Sequence, residues 1–406
     1  MARLPPLRRD LDLMPSPIEG RPGLLIRDPF RYSDATLVIP PALVPLLACF
    51  DGATTELDLR ERLVRLTGDV QVSELLRHLV GTLSGSGFLE DEVSAGLRRS
   101  RLDAFARAES RPPAHAGSAY PEEPEELART LDGYLRASSG PPQGAASLAV
   151  AAPHVSPEGG FRCYAEAYAA LPPPAEDRTV VVLGTSHFGQ PEKFGLTRKP
   201  FVTPLGRTRV DLDALEVLAR SAPSAVSMED YCHAVEHSIE FQVLFLQRLW
   251  GPQVRILPVL CGPFARSTLD GGRPEDDPGV AAFLGALAEL QRLRGQGLFW
   301  VLGVDLAHVG RRYGDEQPAR AGDPRLEAVA GRDRARLERL LQGDAAGLWR
   351  LVQAGGDELR WCGASPLYTF LAAVRPGPGR LLRYEQWNID PDSVVSFAAL
   401  AFARGG

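Results

Sequence analysis

The chain has 406 residues, 44% of them apolar and 24% charged, with a formal net charge of −6. That length suits two domains, one small and one large, with apolar residues enough for a sizeable core. The acidity argues against a nucleic-acid partner, because phosphate binding needs concentrated Lys and Arg, and Arg8-Arg9, Arg98-Arg99 and Arg311-Arg312 are short and scattered.

The amino terminus has no apolar stretch of signal-peptide length. The longest apolar run, Leu37–Phe50, holds Pro40, Pro41 and Pro45 and is too short to span a bilayer, so no membrane is expected. Five widely spaced cysteines without a C-x-x-C pair do not form a disulfide framework, which places the chain in a reducing cytoplasm.

Residues 1–100 read as a small α+β unit. A strand-like piece at Leu24–Pro29 precedes helical patterns at Pro41–Phe50, Leu57–Leu66 and Val72–Ser84, punctuated by Asp51-Gly52 and Thr67-Gly68. Gly87-Phe88-Leu89 is expected to form a last wing strand. This order resembles the PqqD-like winged-helix family, whose members capture a peptide against the wing; a plain helical packing or dimerisation unit fits the residues equally. Residues 101–110 read as a linker, continued by Arg111-Pro112-Pro113. Pro121–Leu135 is expected to be a helix, with acids in its first turn and Leu127, Leu131 and Leu135 on one face; Ser138–Pro142 comes next as a loop.

From there the pattern changes to continuous apolar runs separated by helical stretches: Leu148–Ala152, Thr179–Leu183, Val254–Leu260 and Leu298–Val304. Such runs fit strands buried on both faces of a central, mostly parallel mixed sheet with helices on both faces, an α/β fold. Leu381–Trp387 and Val394–Phe402 could add antiparallel strands.

The residues just past these runs carry chemistry. The first run leads into His154, the second into His187, and the last into Asp305 and His308. Ligands of open α/β sheets bind beyond the carboxyl ends of strands, so these residues converge on one edge. Glu236-His237-Ser238-Ile239-Glu240 opens a helix running to Trp250 and leaves His237 at its mouth; the competing reading is that both acids merely favour the helix dipole. Cys362 immediately precedes the helical run Ala364–Val374, where a thiol pKa is lowered and the thiolate becomes a nucleophile and a soft ligand. Cys49 and Cys261 sit in apolar runs and read as buried hydrophobes.

In order along the chain, Arg111–Pro121, Ala152-Pro153-His154, Gly184-Thr185-Ser186-His187, Thr203–Gly206, Glu236–Glu240, Asp305-x-x-His308 and Cys362-Gly363 resemble the Memo family. Its bacterial branch is called AmmeMemoRadiSam system protein B. The resemblance covers residues 111–404 and implies a fold similar to LigB-type extradiol dioxygenases. It further implies that His154, His187 and Cys362 bind a metal, with His237, Asp305 and His308 as catalytic residues lining the same pocket. Val155-Ser156-Pro157 departs from the family's usual Ala-Gly-Tyr, which bears on pocket shape.

A thiolate beside two imidazoles shifts preference toward Cu(I), Zn or a redox-active iron and away from Mg or Ca. The resemblance implies iron or copper, so Fe(II) is favoured, with copper or zinc as the other metals. The leading expectation is an iron-dependent oxidoreductase in which Asp305 orients a bound group and His237 or His308 moves protons. A second is a non-catalytic adaptor, with residues 1–100 recruiting a peptide or protein of a radical SAM system. A third is metal-free hydrolysis with Cys362 as nucleophile.

Overall fold

Along Thr179–Leu183, Val181 and Leu183 enter one apolar core while Val180 and Val182 enter another, and Leu298–Leu302 alternates in the same way. Strand side chains alternate between faces, so an unbroken apolar run requires a sheet covered on both sides. The computed structural model describes residues 3–16, 18–140 and 147–405. Of the loop expected at Ser138–Pro142, Pro141 and Pro142 lie outside the described residues. The chain divides into two units, Met1–Arg107 and Ala108–Gly406.

The first unit holds β1 (Asp12–Pro15), β2 (Leu24–Arg27), β3 (Thr36–Ile39), a 3₁₀ stretch Pro41–Cys49, α1 (Glu56–Thr67), α2 (Ser73–Gly85) and α3 (Glu92–Arg107). The strands form an antiparallel sheet in the order β1-β2-β3. Gly87-Phe88-Leu89, expected as a wing strand, instead terminates α2. Gly87 is left-handed, Gly87 N donates to Ser84 O and Phe88 N to Leu83 O, and Phe88 and Leu89 turn into the core. Leu89 keeps one bridge, to Leu7. The expected linker 101–110 is helical as far as Arg107, because the Asp91 carboxylate caps the amides of Val93 and Ser94 and no breaker intervenes before Arg107.

The second unit begins with α4 (Pro124–Leu135), β4 (Ser147–Ala152), α5 (Pro157–Ala169), β5 (Thr179–Thr185) and β6 (Phe194–Leu196). The short strands β7 (Val202–Thr203), β8 (Gly206–Arg207) and β9 (Arg209–Val210) lead to α6 (Leu212–Ser221) and β10 (Val226–Met228). Next come α7 (Cys232–Val235), α8 (Glu240–Trp250), β11 (Arg255–Cys261), α9 (Ala265–Asp270), α10 (Pro278–Arg294) and β12 (Leu298–Gly303). The chain ends with β13 (His308–Gly310), α11 (Leu326–Leu341), α12 (Ala345–Gln353), α13 (Ala364–Val374), β14 (Gly379–Asp390) and β15 (Ser393–Ala403).

The ten-stranded sheet runs β10-β6-β11-β5-β12-β4-β15-β13, with β14 on β15 and β9 on β11. β11, β5, β12 and β4 are mutually parallel, so their carboxyl ends share one edge; β14 and β15 add an antiparallel hairpin. α10, α12 and α13 pack in the core on one face, and α4, α5 and α8 in the core on the other. Among the described residues no helix is long and apolar enough to cross a membrane.

Candidate metal centre at the carboxyl ends of the strands

His154 stands two residues past β4, His187 two past β5 and Asp305 two past β12, while His237 precedes α8 and Cys362 precedes α13. The centre is tightly packed: a Cβ on Gly303 would fall 2.2 Å from the Ser238 carbonyl oxygen, and one on Gly363 2.6 Å from that of Asp305. Only glycine lets β12 and the Cys362 turn approach so closely.

His154, His187 and His237 each offer a ring nitrogen, all within 4.8 Å of one another. The ring centroids lie 5.0–5.1 Å apart, with His187 and His237 stacked and His154 edge-on to both. Each Nδ1 is engaged: His154 with the Gly303 carbonyl at 2.9 Å, His187 with both Glu236 oxygens at 3.1 Å, and His237 with Glu236 at 3.2 Å. With each Nδ1 engaged, the Nε2 atoms are left free for a common ligand, the arrangement by which outer acceptors fix the tautomer of ligating imidazoles. Glu236 is buried, and its carboxylate also accepts the amides of His187, His237 and Ser238.

Cys362 joins the three histidines. Its sulfur is 3.3 Å from His154 Nε2, which also lies 3.4 Å from Asp305 Oδ2. Asp305 accepts the His154 amide at 2.9 Å through its other oxygen, and its backbone carbonyl takes the Gly363 amide. His308 is half-buried; its Nδ1 contacts the carbonyls of Leu306 and Arg360, and Tyr313 packs edge-on to its ring at 4.9 Å. All six residues singled out in the sequence therefore gather in one cluster around His154 and Cys362. His237, read as catalytic, belongs to the imidazole triad itself, whereas Asp305 and His308 flank the thiol.

These neighbours set the charges. Burial opposes ionisation of Cys362, but His154 and His308 outweigh it and hold the thiol well below its ordinary pKa. Burial likewise opposes a charge on His154, yet Asp305 and Cys362 raise it to about 9. Burial is overcome at His187 by Glu236, which is itself held well below the usual carboxylate range by His187 and His237. His237 is kept neutral by burial and by the charges of His187 and His154. The shifts of Cys362 and His154 both favour the charged forms, a thiolate beside an imidazolium.

Residues not singled out as site residues in the sequence brace this arrangement. Thr185 Oγ1 donates to the Cys362 carbonyl at 3.0 Å, and Gln242 Nε2 to the Pro153 carbonyl at 2.9 Å. Asp333, fully buried, accepts from Trp361 Nε1, Tyr384 and Ser396, and Ser396 Oγ accepts the Ala307 amide. One carboxylate thereby ties the turn before Cys362 to the loop of Asp305. Glu236 and Glu240 do more than favour a helix dipole. Glu240 ion-pairs with Arg111, bonds Tyr120, and accepts the amides of Ala114 and His115. Two acids flanking a histidine ahead of an apolar helix were the available signal.

Beside the centre is a cleft of about 300 Å³ whose walls include Ser186, His187, Phe264, Arg360 and Cys362. An α/β sheet with an imidazole and thiolate pocket at its carboxyl edge defines a class of candidate metal-binding domains. The particular family is settled by comparison. A model described as Memo-like protein matches residues 111–401, and the chain belongs to the Memo family. MEMO1 family proteins of Aquifex aeolicus and Thermus thermophilus are 27% and 28% identical, over 93% and 82% of this chain and 95% and 94% of theirs. One from Methanopyrus kandleri is 30% identical over 73% of this chain and 99% of its own. The Aquifex match, 382 residues long, exceeds residues 108–406, so it reaches into the first unit.

Proposed function

We propose that residues 108–406 bind one transition metal through the Nε2 atoms of His154, His187 and His237 with the Cys362 thiolate, and act on a small molecule or peptide as an oxidoreductase. The observation that carries this reading is the convergence of three imidazoles whose Nδ1 atoms are all occupied. A thiolate among imidazoles suits copper, zinc or iron, the family resemblance puts Fe(II) first, and such a metal would supply redox or Lewis-acid chemistry at the head of the cleft. The likeness to extradiol dioxygenases belongs to the same proposal. Asp305 would accept the proton that His154 sheds on metal binding, and His308 would pass it toward Tyr313 and solvent. Burial of Asp305 raises its pKa, which suits a carboxyl that takes up a proton. The first unit would bring a peptide or protein partner, a radical SAM system among the candidates, in a reducing compartment. Metal analysis of full-length protein purified without oxygen tests this: about one iron per chain, absent in a His187→Ala variant, is expected, and metal-free but active protein would sink it.

The 3.3 Å approach of Cys362 to His154 also favours a second reading, nucleophilic hydrolysis by a thiolate–imidazolium pair. That chemistry gives His187 and His237 no task. Activity that survives EDTA would select it.

A further inference from the structure

The edge of the sheet opposite the histidines carries a second cleft, of about 390 Å³, lined by Arg178, Arg209, Arg255, Trp250 and Glu176 among others. Topology brings the arginines together. Arg178 directly precedes β5, Arg255 opens β11 and Arg209 opens β9, and β9, β11 and β5 are parallel neighbours. Arg209 and Arg255 are direct cross-strand partners. Like charges in that position repel and destabilise an unliganded sheet. Arg178 lies over the Trp250 ring at 5.6 Å, and its Nε is buried without a hydrogen-bond partner. Its terminal nitrogen donates to the Pro173 carbonyl, and Arg209 reaches the Gln253 carbonyl. Among the described residues none of the three has a carboxylate partner, and residues 141–146 contain no acid. Burial and the charge of Arg404 both disfavour the Arg178 cation.

We propose that this cleft binds a compact, multiply charged oxyanion of the phosphate class. Guanidinium forks match phosphate oxygens two at a time, and an anion here would relieve both the Arg209–Arg255 repulsion and the unpartnered Nε of Arg178. The volume admits pyrophosphate or the phosphoryl end of a small ester. The site sits at the amino ends of the strands, so it stands independently of the metal reading.

The test titrates full-length protein with inorganic phosphate, pyrophosphate and phenyl phosphate, following Trp250 fluorescence and heat, with sodium chloride at matched ionic strength as control and metal content recorded alongside. Saturable binding of at least one of them is expected, weakened about tenfold or more in Arg209→Gln/Arg255→Gln and in Arg178→Gln. Tightest binding of phenyl phosphate would point to an ester, and of pyrophosphate to the free anion. A response no larger than that to sodium chloride, or equal binding in the variants, overturns the proposal. If the double variant does not fold, Arg178→Gln and the wild-type titration still decide.

Discussion

The sulfur of Cys362 lies 3.3 Å from Nε2 of His154, although 208 positions separate the two residues in the chain. Desolvation alone would keep that thiol protonated; the imidazoles of His154 and His308 reverse the balance. In metal-free protein the alkylation rate of Cys362 should therefore stay nearly flat between about pH 9 and pH 6, where an ordinary thiol of pKa about 8.5 slows roughly 100-fold or more. The sign is that of a depressed acid, whose charged form persists as pH falls. Iodoacetamide labelling with mass-spectrometric readout measures this, and His154→Ala should restore the ordinary slope.

Glu236 orients two of the three imidazoles at once. Glu236→Gln keeps the shape but cannot accept from both Nδ1–H groups and the neighbouring amides. Metal affinity should drop about 10–100-fold, the usual loss for an outer-shell partner, measured by competition with a coloured chelator. Unchanged affinity would reduce Glu236 to a loop anchor.

Glu240 and Arg111 are both fully buried. Removing one charge strands the other, so Glu240→Gln should cost about 3–5 kcal/mol in urea unfolding. Burial raises the Glu240 carboxyl pKa, but Arg111 and His115 bring it below the ordinary value. A depressed carboxyl contributes stability that is full above the unfolded pKa of about 4.3 and is lost as pH falls through the folded one. The acid limb of the wild-type stability curve should therefore be steeper than that of Glu240→Gln.

Asp333 links Trp361 to Ser396, and so the Cys362 turn to the Asp305 loop. Asp333→Ala leaves buried donors unmet, each worth roughly 1–3 kcal/mol. Beyond lost stability, the thiolate-to-metal absorption of the cobalt(II) form should weaken while imidazole binding persists. Asp333→Asn should recover part of it. An unaltered spectrum would make Asp333 purely structural.

The Methanopyrus relative is matched over 99% of its own length by 73% of this chain, about the share held by the second unit. That unit has its own cores, drawn from residues 120–402. Residues 108–406 expressed alone should stay soluble and bind metal as the full chain does. Aggregation, or loss of metal, would tie the first unit to the centre.

Periodicity and local signals were enough to find β2, the parallel strands β4, β5, β11 and β12, the β14–β15 hairpin, the helices at Leu57–Leu66, Ala364–Val374 and up to Trp250, and the edge at which His154, His187, Asp305 and Cys362 meet, but not the shorter strands such as β6–β10 and β13. An unbroken apolar run can only be buried on both faces, and a residue just past a parallel strand can only lie at its carboxyl end. The wing strand and the linker misled because Gly87 and residues 101–107 look alike in sequence whether the chain turns into a core, stays helical or runs free. Tertiary structure alone decided that Glu236 grips two imidazoles, that Glu240 meets Arg111 and that Asp333 joins Trp361 to Ser396. A carboxylate's ordinary place is in water, and no spacing in the chain reveals which of 51 acids will be buried against a charge that neutralises it.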